Sequence, residues 1–366
     1  MFVGSRQRKT LKSSKSFASR YVFWSNTYNF LNKGGWQLAN PAALISTLEN
    51  SQMKKTLIAM AVVAVAGAAS AQVSITGKLR FAYENATSTA NATTSGLTLT
   101  DGNITFAASE DLGGGLAIAT SMDMRLRGRG AAADATDPGV PDVRGRDATM
   151  TLSGDFGAIT LGRIEAGNGI LGLGGAGAPV YGLDNGTQLA GASNVDLLKY
   201  SSPNMNGFAF SVAQTDAIAG LGADNGQAAT SVGVTYAAGA LSIAADSTSY
   251  GAAAQATADS RTRFSASYNL GVAKIGVGNQ SAGNGAAAAK SERVVGVSVP
   301  MGAMTLGLVR ASSSTDGTAG SNTGTDVGVK YDMSKSTYVA LQYQTTKSAG
   351  ATASASKYRV QLSKAF

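Results

Sequence analysis

Apolar and polar side chains alternate along most of this chain. Near one end, Val73, Ile75, Leu79, Phe81 and Tyr83 fall on one face, and Ser74, Thr76, Lys78, Arg80 and Glu84 on the other. At the far end Tyr358, Val360, Leu362 and Phe366 alternate with Arg359, Gln361 and Ser363. Between them the pattern returns in pairs, such as Val295-Val297-Val299 with Met304-Leu306-Leu308 and Val327-Val329-Tyr331 with Val339-Leu341-Tyr343. A period of two marks β-strands with unlike faces. Three charges on one face of the first strand would be unwelcome in a dry core but suit a water-filled lumen.

The connections sharpen this reading. Short turns are predicted at 109–115, 153–157, 202–207, 237–240, 269–272, 300–303 and 333–336. Longer polar segments are predicted near 85–100, 128–143, 164–193, 217–229, 247–261, 279–291, 311–324 and 345–355. Seven turns and eight loops join sixteen strands, and pairing the last with the first leaves no open edge. A strand of about ten residues rises roughly 33 Å, or about 23 Å when tilted 45°, close to the apolar band of a membrane barrel. The expected fold is therefore all-β, a transmembrane antiparallel barrel of about sixteen strands. A soluble sandwich would show shorter strands and no alternation of short and long connections.

Composition narrows the chemistry. The chain has no Cys and no His, which removes disulfides, thiolate sites, zinc-His sites and imidazole bases. No acidic pair stands out by spacing, so no enzyme, metal or cofactor is expected. Beyond residue 71 no apolar run approaches the length of a helical span, and a closed barrel is the other structure that satisfies every backbone group in a bilayer.

Met53 to Ala71 reads as a secretory signal peptide. Lys54 and Lys55 supply the positive start, Leu57 to Gly67 the apolar stretch, and Ala69-Ser-Ala71 the cleavage site, so the mature chain should begin at Gln72. Residues 1–52 are expected to be an over-extended leader. Residues 1–71 hold nine of the 30 Lys+Arg and one of the 22 Asp+Glu, leaving 21 of each. The formal charge of +8 is thus a presequence property and not a nucleic-acid footprint.

Several stretches resemble the general Gram-negative porin family: Ser109-Glu-Asp-Leu-Gly-Gly-Gly-Leu116, Leu152-Ser-Gly-Asp-Phe-Gly157 followed by Thr160-Leu-Gly-Arg163, and Lys199-Tyr-Ser-Ser-Pro-Asn204 with Gly207-Phe208. The final strand, with Tyr358, Val360, Leu362 and Phe366, resembles the signal read by the barrel-assembly machinery of outer membranes. The resemblance implies a homotrimer in the bacterial outer membrane and passive diffusion of ions and small hydrophilic solutes. It also implies a third long loop, near 164–193, that folds inward and narrows the channel. Candidate pore-lining basic residues are Lys78, Arg80, Arg125, Arg127, Arg163, Lys199, Arg263 and Lys274. Glu165 and Asp184 are the candidate acids of the third loop. Opposed charges in a constriction set ion preference through the local potential, and the balance here predicts mild anion preference.

The chain departs from the family pattern in places. The third loop lacks the Pro-Glu-Phe-Gly-Gly-Asp acids of some members. Lys364 takes an outward position at the rim, where a long side chain can snorkel. Strict alternation with Ile159 and Leu161 would turn Arg163 to lipid unless a bulge at Gly162 re-aims it. Gly167-Asn-Gly169-Ile-Leu-Gly172 fits a dinucleotide-binding spacing, but the glycines around it and Pro179 argue against the helix that reading needs. The alternative to a channel is a plugged barrel serving as adhesin or structural protein. The Ser, Thr, Gly, Ala and charged residues at inward positions favour an open lumen. An organellar barrel is suggested only by residues 1–52.

Overall fold

A computed structural model describes residues 72–126, 143–166, 168–183, 188–190, 193–215, 228–251, 259–283 and 288–366. Sixteen strands follow in order: β1 (Gln72–Thr87), β2 (Thr93–Gly113), β3 (Leu116–Leu126), β4 (Val143–Gly154), β5 (Gly157–Ala166), β6 (Ser193–Ser201), β7 (Phe208–Thr215) and β8 (Ala229–Ala238). They continue as β9 (Leu241–Tyr250), β10 (Ser260–Asn269), β11 (Lys274–Ala282), β12 (Lys290–Met301), β13 (Met304–Thr315), β14 (Asn322–Ser334), β15 (Thr337–Lys347) and β16 (Ala355–Ala365). One short helix, α1 (Gly169–Gly174), lies between β5 and β6.

Every strand pairs antiparallel with its chain neighbours, and β1 closes on β16 from Lys78↔Ala365 to Thr87↔Ser356. The seven tight turns fall where the alternation breaks in sequence. The first long connection does not. Residues 85–100 were expected to be a loop, yet β1 and β2 run through most of it and pair up to Thr87↔Thr93. The β-branched Thr93, Thr94, Thr98 and Thr100 suit a strand, and the register shifts beside Arg80/Phe81 so that alternation resumes above it.

The packing is inside out. Leu79, Phe81, Leu341 and Val360 are exposed on the outer wall, while Gln342, Gln344, Gln361 and Ser363 are buried on the inner one. Their strand neighbours alternate accordingly, which fits a wall with lipid outside and water within. Among the described residues, an apolar cluster of buried side chains, Ile170, Leu183, Leu189, Val294, Val309 and Ala311, lies where the loop after β5 meets the inner wall.

Closure depends on the last residue. Phe366 exchanges backbone hydrogen bonds with Gly77, at 2.9 Å each way. A Cβ at Gly77 would lie 2.6 Å from Cζ of the Phe366 ring and 2.6 Å from the Asn103 carbonyl oxygen. Gly77→Val should therefore destabilise the barrel by about 1–3 kcal/mol, typical of overpacking. Thermal unfolding followed by gel mobility would check this. An unchanged midpoint would mean that the ring swings aside without cost.

Candidate functional site

The described residues of the loop between β5 and β6, here L3 (168–183 and 188–190), fold into the barrel and lie along the inner wall. Its path is set by glycines. Gly276 and Gly278 of β11, Gly296 of β12, Gly307 of β13 and Gly324 and Gly328 of β14 each face L3 with no room for a side chain. A Cβ on Gly278 would stand 2.9 Å from Ile170, and one on Gly307 would stand 2.6 Å from Ala178. In each of these strands the neighbouring positions are outward Val, Ile, Leu, Thr or, at Asn279, Asn, so the glycines occupy inward slots.

Polar bonds then fix the loop. The Asn168 side chain caps α1 by accepting from Ile170 N (3.0 Å) and donates to Glu292 (3.0 Å). Ser298 donates to Ala176 O at 2.8 Å, and Gln342 donates to the carbonyls of Pro179 (3.0 Å) and Val180 (2.7 Å). Gly182 N donates to Asp326 at 2.7 Å. At the closure seam Tyr181 donates to Glu84 at 2.7 Å, beneath the cations of Lys357 (4.4 Å) and Arg359 (3.9 Å). Arg359 also reaches Glu84 at 3.6 Å and hydrogen-bonds Gln342. Burial, and then the Glu84 carboxylate, push the Tyr181 phenol above its ordinary range.

The Gly-rich segment forms a helix after all. Its low propensity is offset by close packing: a Cβ on Gly174 would stand 2.5 Å from Val294, so a bulkier residue could not seat the helix there. The surroundings are not dinucleotide-binding, since β5 and β6 are antiparallel neighbours rather than parallel strands of a βαβ unit.

The candidate charges separate into groups. Lys78 (2.8 Å) and Arg80 (3.2 Å) share Asp101, and Arg80 also lies 5.9 Å from the Tyr338 ring. Arg125 meets Glu165 at 3.5 Å. Arg263 grips both carboxylate oxygens of Asp246 at 2.9 Å. Lys199 faces inward in a cavity of about 330 Å³ bounded by β5–β10. Lys274 also faces inward but sits beside the short turn at 270–273, at the channel mouth. Arg163 departs from expectation: β4 and β5 pair without a shift at Gly162, so it stays on the outer face with Leu161. There it meets Asp196 at 3.6 Å, and pairing lowers the cost of charge on that wall. Arg127 and Asp184 lie outside the described residues.

Sequence reasoning missed Arg146, Arg261 and the acids that match the basic row. Arg146 sits at a register shift between β3 and β4, which breaks the alternation that would have flagged it. It pairs with Asp123 and approaches Asp147 and Glu165, both at 3.7 Å. Arg261 lines the Lys199 cavity two residues from Arg263, on the same face. Its neighbour's pattern was the available signal.

A closed sixteen-strand barrel with polar inner walls and a loop laid inside it defines a transmembrane channel of the porin class. The family model described as Gram-negative porin matches residues 57–351. The chain belongs to that family: it is a multi-pass protein of the bacterial outer membrane, and its barrel is a channel for passive diffusion of solutes. Solved structures agree on the fold. The anion-selective porin of Comamonas acidovorans is 20% identical with a TM-score of 0.60, over 81% of this chain and 100% of that one. OmpF of Salmonella typhi, solved with daunomycin, is 12% identical with a TM-score of 0.65, over 81% and 98%. The trimer form of OmpT from Vibrio cholerae is 16% identical with a TM-score of 0.59, over 81% and 100%. No curated protein matches the sequence.

Proposed function

We propose that this porin is a homotrimeric channel for ions and small hydrophilic solutes with a mild preference for anions. The observation that carries the preference is a surplus of unpaired cations. Among the described residues, Glu84, Asp101, Asp123, Asp147, Glu165, Asp246, Glu292 and Asp332 each have a basic partner within 4.0 Å, and Asp326 is fully buried under L3. Lys199, Arg261, Lys274 and Lys357 face the lumen without any such partner, whereas the described acids that lack one, Glu110, Asp111, Asp155, Asp259 and Asp316, sit at or beside the turns and loops. Paired charges largely cancel at a distance, so unpaired cations dominate the potential an ion meets.

The trimer reading is supported by a shallow apolar depression on the outer wall of β1–β5, lined by Val73, Phe106, Ala108, Met122, Met150 and Leu161. Threefold symmetry would bury the same patch of every subunit. The Comamonas relative is anion-selective and the Vibrio relative has a trimer form, in line with both readings.

The test is single-channel recording in a planar bilayer under a salt gradient. Closure in three equal steps and a reversal potential of anionic sign are expected. A cationic sign would overturn the preference, single-step closure the trimer, and an inserted barrel without conductance the channel itself. We further propose that the mature chain starts at Gln72, which is the first residue of β1. Intact mass of the exported protein would show cleavage after Ala71 or refute it. The Tyr358–Phe366 strand serves as the assembly signal in this reading, with Tyr358, Val360 and Leu362 exposed on the outer face.

A further inference from the structure

We infer that the lumen wall of β5–β10 carries a binding site for carboxylates with an apolar body, of which an acid with a single aromatic ring is the simplest. The site is the cavity of about 330 Å³ that holds Lys199 and Arg261. It belongs to the conducting lumen proposed above, rests on that reading, and names a class of solute that the channel would retain in passing. The strand registers resolve its wall into rows. One inward row reads Lys199, Ala213, Ser231, Thr248 and Arg261. It is basic at both ends and small between them, so it forms a trough. The next inward row toward the long loops reads Leu197, Thr215, Ala229 and Tyr250. Beyond Leu197, Val195 and Ile164 stand opposite each other on β6 and β5. The upper side of the cavity is therefore aliphatic at β5 and β6 and aromatic at β9, with the cations one row below.

The aliphatic side chains are out of place for a water-filled lumen. On β12 and β13 the inward Val294 and Val309 are buried beneath L3, in the cluster with Ile170. Ile164, Val195 and Leu197 also point inward, yet they stay half-exposed and line the cavity. An apolar group of a solute that covers them removes from water a surface that folding left wet. The cations below are equally available. Arg263 holds Asp246, whereas Lys199 and Arg261 have no carboxylate within 4.0 Å among the described residues. Arg261 lies 5.9 Å from the centre of the Tyr250 ring, and its buried Nε–H meets no acceptor among the described residues. Ser231 and Thr248 share one hydrogen bond of 2.7 Å, which leaves one hydroxyl proton of the pair to donate. A carboxylate in the trough would take charge-assisted hydrogen bonds from Lys199 or Arg261 and a neutral one from that pair.

L3 supports the same class of solute. Residues 168–183 carry no charged side chain, and among them are Leu171, Leu173 and Val180. The loop adjoins the cavity, because a Cβ on Gly169 would stand 2.8 Å from Nη1 of Arg263. A solute at this height meets cations on the wall and neutral, partly apolar surface on the loop. That pairing suits an anion with an apolar body better than a bare inorganic anion, which gains nothing from the aliphatic rows. A volume of about 330 Å³ lies at the small end of ligand pockets, which argues for one ring rather than a fused or branched body. The carboxylate would lie in the trough and the ring against the row above it.

The test is the chloride current of the refolded mature channel in a planar bilayer, with benzoate, acetate or benzyl alcohol added. Benzoate should lower the chloride conductance saturably, with a half-blocking concentration at least tenfold below that of acetate. Benzyl alcohol keeps the ring without the charge and should give no saturable block. Lys199→Gln with Arg261→Gln should raise the half-blocking concentration of benzoate at least tenfold. Leu197→Ser retains both cations and should bring benzoate level with acetate, while the reversal potential in a KCl gradient keeps its sign. Equal block by benzoate and acetate in the unaltered channel would overturn the inference and leave the anion preference standing. Undiminished block by benzoate in both variants would place its binding elsewhere and also overturn it. If the charge variant does not insert, Ser231→Leu decides, since it fills the trough and leaves both cations. Persistence of benzoate's advantage over acetate in that variant would refute the site. A barrel that inserts without conducting refutes the channel reading instead, and equilibrium dialysis of labelled benzoate against the same proteins then tests the cavity, with the same tenfold loss expected and parity refuting it.

Discussion

Reversing Lys199 and Arg261 together, as Lys199→Glu with Arg261→Glu, should turn the channel from anion to cation preference. Both residues line one cavity of the lumen wall, and neither is in an ion pair, the Asp246 carboxylate there being held by Arg263. The double change alters the fixed charge there by four units. A unit charge acts on an ion about 8 Å away in water with roughly 0.5 kcal/mol, and screening at 0.1 M salt about halves it. Four units then move each ion by about 1 kcal/mol, in opposite directions for anion and cation. The permeability ratio should shift by about 2 kcal/mol, or roughly thirtyfold, read from the reversal potential. In 1 M salt the Debye length falls to about 3 Å and most of the shift should vanish. The same change at Arg125 should do less, because it would also leave Glu165 without its 3.5 Å partner and the local rearrangement would mask the field. Reversal of equal size from Arg310→Glu, on the outer wall, would show that the effect is not a lumen effect.

The parts of this molecule that were legible in sequence are those governed by local periodicity. Val327-Gly328-Val329 and Leu306-Gly307-Leu308 announce strands because alternation is a property of neighbours. Six of the seven turns carry Gly, Asn or Asp where the alternation breaks, and the seventh, at 333–336, carries Ser334 and Ser336 around Lys335. Arg359 and Gln361 could be placed inside for the same reason. What escaped depends on contacts far apart in the chain. Which acid meets Arg80 is decided by a register shift beside Arg80 itself, and Arg146 is presented by another shift, between β3 and β4. The inward glycines of β11–β14 were visible as letters, but their meaning required knowing that L3 would lie over them. Arg163 is the instructive failure. The alternation pointed outward and was right, and the proposed bulge at Gly162 was unnecessary because Asp196 stands opposite in the β5–β6 register.

The glycine track leads to the second large effect. Gly296→Val with Gly307→Val should lower both conductance and stability. A Cβ on Gly296 would stand 2.5 Å from the Gly175 carbonyl carbon, and one on Gly307 would stand 2.5 Å from Pro179 Cδ. Neither obstacle is the flexible end of a side chain, so L3 itself must lift. The wall is held by strand pairing on both sides, and the loop can move only toward the channel axis. Displacement breaks the Ser298 bond to Ala176 and the Gln342 bonds to Pro179 and Val180. Overpacking of this kind costs about 1–3 kcal/mol per site, and each neutral hydrogen bond lost adds about 1 kcal/mol. Thermal unfolding should therefore begin at lower temperature, and single-channel conductance should fall as the loop occupies more of the lumen. The matched control is Gly96→Val, another strand glycine, where a Cβ would meet nothing within 4 Å. Tyr181→Phe separates seat from tether. It removes the 2.7 Å bond to Glu84 but leaves the ring beneath Lys357 and Arg359, so the loop should stay down while the current grows noisier. Because the phenol is raised above its ordinary range, its contribution is complete below about pH 10, the unfolded value, and is lost as pH climbs toward the folded one. The unaltered channel should stay quiet through neutral and mildly alkaline pH and become noisy only in strong base, with Tyr181→Phe showing that noise throughout. Equal conductance in the double valine variant and the Gly96 control would mean that L3 is not seated by the glycines, and the narrowing would have to be ascribed to the wall alone.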